Sequence, residues 1–329
     1  MKMNLTLREK VGQLFFVRCP GGEKALHDID RFSVGGYLLF GADFKNSTPE
    51  LLADTVRGYQ KHSKTPLFIG SDEEGGSVTR ASFYPQFRSE RFKSPMALLA
   101  EGGETALLDD IVTKSAFLKS LGINVNFAPV CDVTDDRDSF IYTRTLGLTA
   151  GETARIIAAM IKKMDECKIG SMLKHFPGYG DNADTHIGLS VDNRSPKQLR
   201  ERDLIPFASG IAAGADSVLV SHNIVSKIDE NHPASLSKPV HDILRGEMGF
   251  DRVIITDDLM MDAVSKYTDG EKAAVTAVIA GNDMLCASDY EVQLPAVLKA
   301  VEKGIIDENQ IDRSLDRIFA WKRKLGLLR

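Results

Sequence analysis

Eight short apolar runs, most of them followed by a stretch with helical character, constrain the fold of this chain more than any other feature. The runs are Leu14–Val17, Tyr37–Phe40, Leu67–Ile69, Val125–Ala128, Ser171–Leu173, Val218–Val220, Val253–Ile255 and Met284–Cys286. Apolar residues fall on both faces of these runs, which suits parallel strands covered on both sides. Between them lie helical patterns at Pro49–His62, Glu104–Ser120, Thr149–Cys167, Pro196–Gly214, Pro239–Met248 and Glu271–Ala280. Two more, Tyr290–Lys303 and Glu308–Leu325, close the chain. In the last, Ile311, Leu315, Ile318 and Phe319 recur at helical spacing opposite Arg313 and Arg317. An entry helix is expected over Leu5–Gly12, with Thr6 as its cap and Glu9 three residues on. Strands alternating with helices predict a single (β/α)₈ barrel over residues 1–329, with a doubly wound open sheet as the alternative. No linker or internal repeat marks a second domain.

Composition narrows the partners. The formal net charge is −5 and no run of Lys or Arg exists, which argues against nucleic acid. The apolar stretch near the N-terminus is too short and interrupted for a signal peptide or a membrane helix. The four cysteines show no CxxC pairing and read as reduced core residues of a cytoplasmic protein.

A barrel gathers its chemistry at the C-terminal ends of its strands, and polar residues follow these runs. Ile69 leads into Asp72, Glu73 and Glu74; Val130 into Cys131 and Asp132; Leu173 into Lys174 and His175; Val220 into His222; Ile255 into Asp257 and Asp258. By alternation one carboxylate of the Asp257–Asp258 pair faces the mouth, as nucleophile or metal ligand; a helix N-cap is the competing reading of the pair, and the two readings can also hold together, one Asp each. Lys174 and His175 close a strand, and Lys is rarely buried without a partner. Beyond them Gly178 and Gly180 open a loop carrying Asp184 and His186, spaced so that the carboxylate can hold the imidazole in one tautomer. Asp72 and Arg80 flank Gly75–Gly76, as a turn with a surface arginine would. Arg144, taken alone, reads as a surface residue. Carboxylates with His and Arg, and no phosphate-binding glycine loop, suit glycosyl transfer. A metal hydrolase fits less well, because His175, His186 and His222 lie on separate segments without an HxH or HxxxH pair.

These residues carry a resemblance. Lys174-His175-Phe176-Pro177-Gly178-Tyr179-Gly180 with Asp184-Thr185-His186 resembles the signature of glycoside hydrolase family 3, in its β-N-acetylglucosaminidase branch. Further matches run from Glu9–Phe15 through Asp72-Glu73-Glu74-Gly75-Gly76 and Asn126–Asp132 to Thr256-Asp257-Asp258-Leu259-Met260-Met261. The resemblance implies a retaining mechanism with Asp257 as nucleophile and His186 as acid/base, oriented by Asp184. It implies sugar contacts from Asp72, Arg80, Arg144, Lys174 and His175, and no metal or organic cofactor. It implies a small glycoconjugate or muropeptide as substrate for a monomer or weak homo-oligomer that binds neither nucleic acid nor membrane. Glucoside hydrolysis, phosphorolysis and non-catalytic sugar binding are the rival readings. Glu73 and Ser77 stand where the family often has Gln and Arg, and Tyr179 where His is frequent. The loop beyond Gly178 is expected to move when substrate binds.

Overall fold

The computed structural model describes residues 4–180, 182, 190–265 and 267–328. The eight predicted strands are all present. They are β1 (Phe15–Arg18), β2 (Gly36–Leu39), β3 (Phe68–Ser71), β4 (Val125–Asn126), β5 (Met172–Phe176), β6 (Ser217–Val220), β7 (Val253–Thr256) and β8 (Leu285–Ala287). Every pairing among them is parallel: β8-β1-β2-β3-β4 form one run and β5-β6-β7 another. Bridges Val125↔Gly170 and Val130↔Lys174 join β4 to β5, and Ile255↔Met284 joins β7 to β8. The ring therefore closes, and the open-sheet alternative fails because no strand is left as an edge. The fold is the (β/α)₈ barrel.

The interior is filled by aromatic side chains. The Phe16 ring stacks on Phe68 and meets Phe127 edge-on, with centroids 5.9 and 5.2 Å away. Gly70 makes this possible: a Cβ there would lie 2.6 Å from Phe127 and 2.7 Å from Phe16. The closing helix, α9 (Glu308–Lys324), plugs the N-terminal end of the barrel by placing Trp321 4.4 Å from Phe68.

The entry helix spans Leu7–Gln13 and begins with the expected capping box of Thr6 and Glu9. A helix at Gly22–Phe32 was not apparent in the sequence. It buries Ala25, Ile29 and Phe32, but it starts at Gly21–Gly22 with no capping side chain, so the usual start signal is missing. The stretch expected as one helix over Pro196–Gly214 instead contains a wider π-type turn at Leu199–Asp203 before Leu204–Ala212 resumes. Beyond β5, a short ladder pairs Val191–Asp192 with Ile224–Val225.

Candidate active site

Six of the eight site residues expected from sequence line one cavity at the C-terminal end of the barrel: Asp72, Arg80, Arg144, Lys174, His175 and Asp257. Its volume is about 250 Å³, and Leu38, Phe40, Val78, Phe127, Leu219, Met261 and Cys286 supply apolar walls. Asp184 and His186, and the motion expected of their loop, lie outside the described residues.

One side of the cavity is a network of ion pairs rising from β3 and β5. Lys174 Nζ lies 2.8 Å from Asp72 Oδ1 and 2.6 Å from Glu74 Oε1. Arg144 grips Glu74 with both arms, Nε to Oε2 at 3.0 Å and Nη2 to Oε1 at 2.8 Å. Arg80 Nη2 donates to Asp72 Oδ2 at 3.3 Å. Bidentate pairing of this kind fixes direction as well as charge. Arg144 is therefore not the surface residue that its isolated position suggests: its side chain is 13% exposed, drawn in by Glu74.

The network sets protonation. Burial alone would raise both carboxyls, but Lys174 and Arg80 hold Asp72 below its ordinary value. Arg144 and Lys174 hold Glu74 far below its own. Burial works against the charge of Lys174, yet Asp72 and Glu74 outweigh it and raise its pKa. The strand register against β6 shifts between Leu173 and Phe176, and Lys174 and His175 both reach the cavity.

His175 is locked as a neutral ring. Its Nε2 sits 3.0 Å from Arg144 Nη2, which can only donate, so Nε2 accepts. Nδ1 then carries the proton and donates to Asp132 Oδ2 at 2.7 Å. Burial, with Arg144 beside it, lowers the pKa of His175 despite the Asp132 carboxylate. With both nitrogens engaged by Arg144 and Asp132, the ring has neither free to give or take a proton.

Two strands on from β5, β7 ends in Thr256 and delivers Asp257 to the same cavity. Asp258 also lines it, but its Oδ1 accepts from the backbone N–H groups of Met260 and Ser288, and its Oδ2 from Ser288 Oγ. Both aspartates thus line the cavity, and Asp258 also ties the loops after β7 and β8 together. Thr256 Oγ1 accepts from the Cys286 N–H at 3.0 Å, which stitches β7 to β8 under the cavity.

Two residues of the network were met at the strand ends but not given a site role from sequence. Glu74 is the hub of the network, and Asp132 holds His175 and also accepts from the Tyr179 N–H at 2.7 Å. The alternation Asp72-x-Glu74 on an extended segment was a signal for the first. By contrast, Glu73 is turned away from the cavity. Its carboxylate accepts from the N–H groups of Arg80, Ala81 and Ser82 and from Ser82 Oγ, folding the hairpin that follows β3. Ser77 is exposed. These two departures from the family pattern therefore do not touch the cavity wall. Tyr179 is buried and packs edge-on against His175, centroids 5.1 Å apart. Among the described residues no group of three or more His, Cys, Asp or Glu is placed to hold a metal ion.

The model of the glycosyl hydrolase family 3 N-terminal domain matches residues 6–320. The chain belongs to glycosyl hydrolase family 3. Beta-hexosaminidase from Idiomarina loihiensis is 33% identical over 272 residues, covering 82% of this chain and 80% of that protein. Beta-hexosaminidase A from Pseudoalteromonas piscicida is 28% identical over 328 residues, covering 90% of this chain and 54% of that protein. Among solved structures, the family 3 β-N-acetylglucosaminidase from Paenibacillus sp. str. FPU-7 has a TM-score of 0.91 and 34% identity, covering 98% of this chain and 63% of that one. A family 3 glycosyl hydrolase from Mycobacterium smegmatis has a TM-score of 0.89 at 27% identity, covering 97% of both chains. This family 3 chain thus spans about half of the Pseudoalteromonas relative and under two thirds of the Paenibacillus chain.

Proposed function

We propose that this chain is a retaining exo-β-N-acetylglucosaminidase. The observation that carries the reading is the meeting, in one cavity, of Asp257 from β7 with Asp72, Lys174 and Arg144, which Glu74 ties together from behind. Fixed charged donors and acceptors suit sugar hydroxyls, and the strand-end carboxylate of Asp257 suits attack at the anomeric carbon. Names of the relatives, β-hexosaminidase and β-N-acetylglucosaminidase, point to the sugar.

In this mechanism Asp257 attacks the anomeric carbon as the bond to the leaving oxygen breaks. His186, oriented by Asp184, gives that oxygen its proton. His186 then takes a proton from water, whose oxygen attacks the same carbon and releases Asp257, so the β configuration is retained. His175 does not compete for this role, since both its nitrogens are engaged. Substrates of this reading are terminal β-linked N-acetylglucosaminides, with muropeptide fragments from peptidoglycan recycling as the natural class. A cytoplasmic setting suits four free thiols, three of them buried. Among the described residues no helix is long and apolar enough to cross a membrane.

The test is turnover of a chromogenic N-acetyl-β-glucosaminide against the matching β-glucoside, each with and without phosphate. Phosphate-independent turnover favouring the N-acetylglucosaminide is expected. Binding of N-acetylglucosamine with turnover of neither substrate would make the chain a sugar-binding protein. Trapping with a fluorinated N-acetylglucosaminide should label Asp257; a label elsewhere overturns the nucleophile.

A further inference from the structure

A half-buried arginine outside the cavity ties together the two ends of the segment that carries Asp184 and His186. Before that segment come Gly178, Tyr179 and Gly180; after it come Ser190, Val191 and Asp192. Arg194 reaches across. Its Nη2 donates to the Gly178 carbonyl at 2.8 Å and to Asp192 Oδ2 at 2.6 Å, and its Nε donates to both Asp192 oxygens at 2.9 and 3.0 Å. Nη1 donates to Asp203 Oδ1 at 2.6 Å, at the end of the π-type turn. The side chain is 18% exposed, and the two aspartates are 0% and 2% exposed.

The backbone is shaped to admit this guanidinium. A Cβ on Gly180 would lie 2.3 Å from Arg194 Nη1, and one on Gly178 would lie 2.9 Å from Asp203 Cβ. Both glycines have positive φ, +55° and +110°. Each end is also tied elsewhere. Tyr179 N–H bonds Asp132, which holds His175 in the cavity. Val191 and Asp192 pair with the chain that follows β6. Arg194 is the link between these two anchorages, and a forked, always-charged group can hold three partners in one geometry where a lysine cannot.

We propose that Arg194 is a positioning residue for acid/base catalysis: by fixing Gly178 to Asp192 and Asp203 it sets the spacing of the two points from which the Asp184–His186 segment is hung. The inference rests on the proposed role of His186. It touches no substrate itself and predicts a defect confined to proton transfer.

The experiment compares kcat/KM for two aryl N-acetyl-β-glucosaminides, one with a 2,4-dinitrophenyl leaving group that departs without protonation and one with a 4-methoxyphenyl group that needs it. Arg194→Met is expected to lower the methoxyphenyl value toward the loss of a general acid, about 10²-fold, and the dinitrophenyl value by less than about threefold. Azide should restore part of the dinitrophenyl kcat by replacing the water that the base no longer activates. Arg194→Lys should show the same dependence at smaller size, and serves where Arg194→Met does not fold. Equal losses for both substrates, no loss for either, or failure of both variants to fold would each overturn the proposal. His186→Ala run alongside separates the two layers. If it shows no leaving-group dependence, the acid/base assignment is wrong; if it shows one and the Arg194 variants do not, only the present inference falls.

Discussion

The barrel buries a lysine at each end, and the two are driven in opposite directions. Lys174 at the mouth stands between Asp72 and Glu74, and its pKa is raised. Lys322 at the floor, on α9, is fully buried, with no carboxylate beside it among the described residues; its Nζ donates to Gln13 Oε1 at 2.7 Å and lies 5.0 Å from the Phe68 ring. Burial alone lowers its pKa to about 7. Burial with unequal partners gives opposite outcomes, since burial disfavours a charge and a countercharge returns it. The mouth keeps its charges and can use them on a substrate. The floor holds its lysine charge weakly, and the side chain packs.

The comparison can be broken at several points. The largest effect is expected from Asp257→Asn, which removes the nucleophile and should lower kcat by about 10⁴-fold or more while leaving the melting temperature close to wild type. Unchanged turnover would remove Asp257 from the mechanism.

Next is Glu74→Gln, which leaves Arg144 without its paired carboxylate and Lys174 with only Asp72. Breaking a buried pair from one side costs about 3 kcal/mol, which urea unfolding at pH 7 would read. The same variant should lose sugar affinity through misplaced Arg144, visible as raised KM. The folded pKa of Glu74 lies below its ordinary value, so its contribution is present above the unfolded pKa and disappears as pH falls through the folded one. The stability gap between wild type and Glu74→Gln should therefore shrink on acidification below about pH 4.5.

At the floor the sign reverses. Lys322 has a folded pKa below its unfolded value, so the unfolded chain binds the extra proton between about pH 7 and 10.5 and stability rises with pH over that window. Comparison with Lys322→Met isolates this slope: wild type should gain about 2 kcal/mol on the variant between pH 7 and pH 9. A parallel pair of curves would mean that Lys322 keeps its charge. Activity of Lys322→Met at constant stability should match wild type.

Much of the fold was legible because burial is written in periodicity. The eight runs became the eight strands, and Thr6 with Glu9 announced the first helix. Gly22–Phe32 escaped because its N-terminus carries no polar cap. At the site, the strand-end rule and the family signature together reached Asp72, Lys174, His175 and Asp257. Arg144 was misread as a surface residue when judged alone, and Glu74 was passed over, because what each does depends on the other across 70 residues.

The sequence by itself determined the eight strands, the resemblance to the family and which strand ends carry polar residues. The strands and their polar ends follow from residue types at local spacing, which hydrophobic burial reads directly; closure of the ring came from the tertiary structure. Tertiary structure decided which charges survive. Lys174 finds Asp72 across 102 residues, His175 finds Asp132 across 43, and Lys322 finds the neutral amide of Gln13 across 309. A buried group's protonation is set by what stands within a few ångströms of it, and no local pattern records a neighbour supplied by a distant strand.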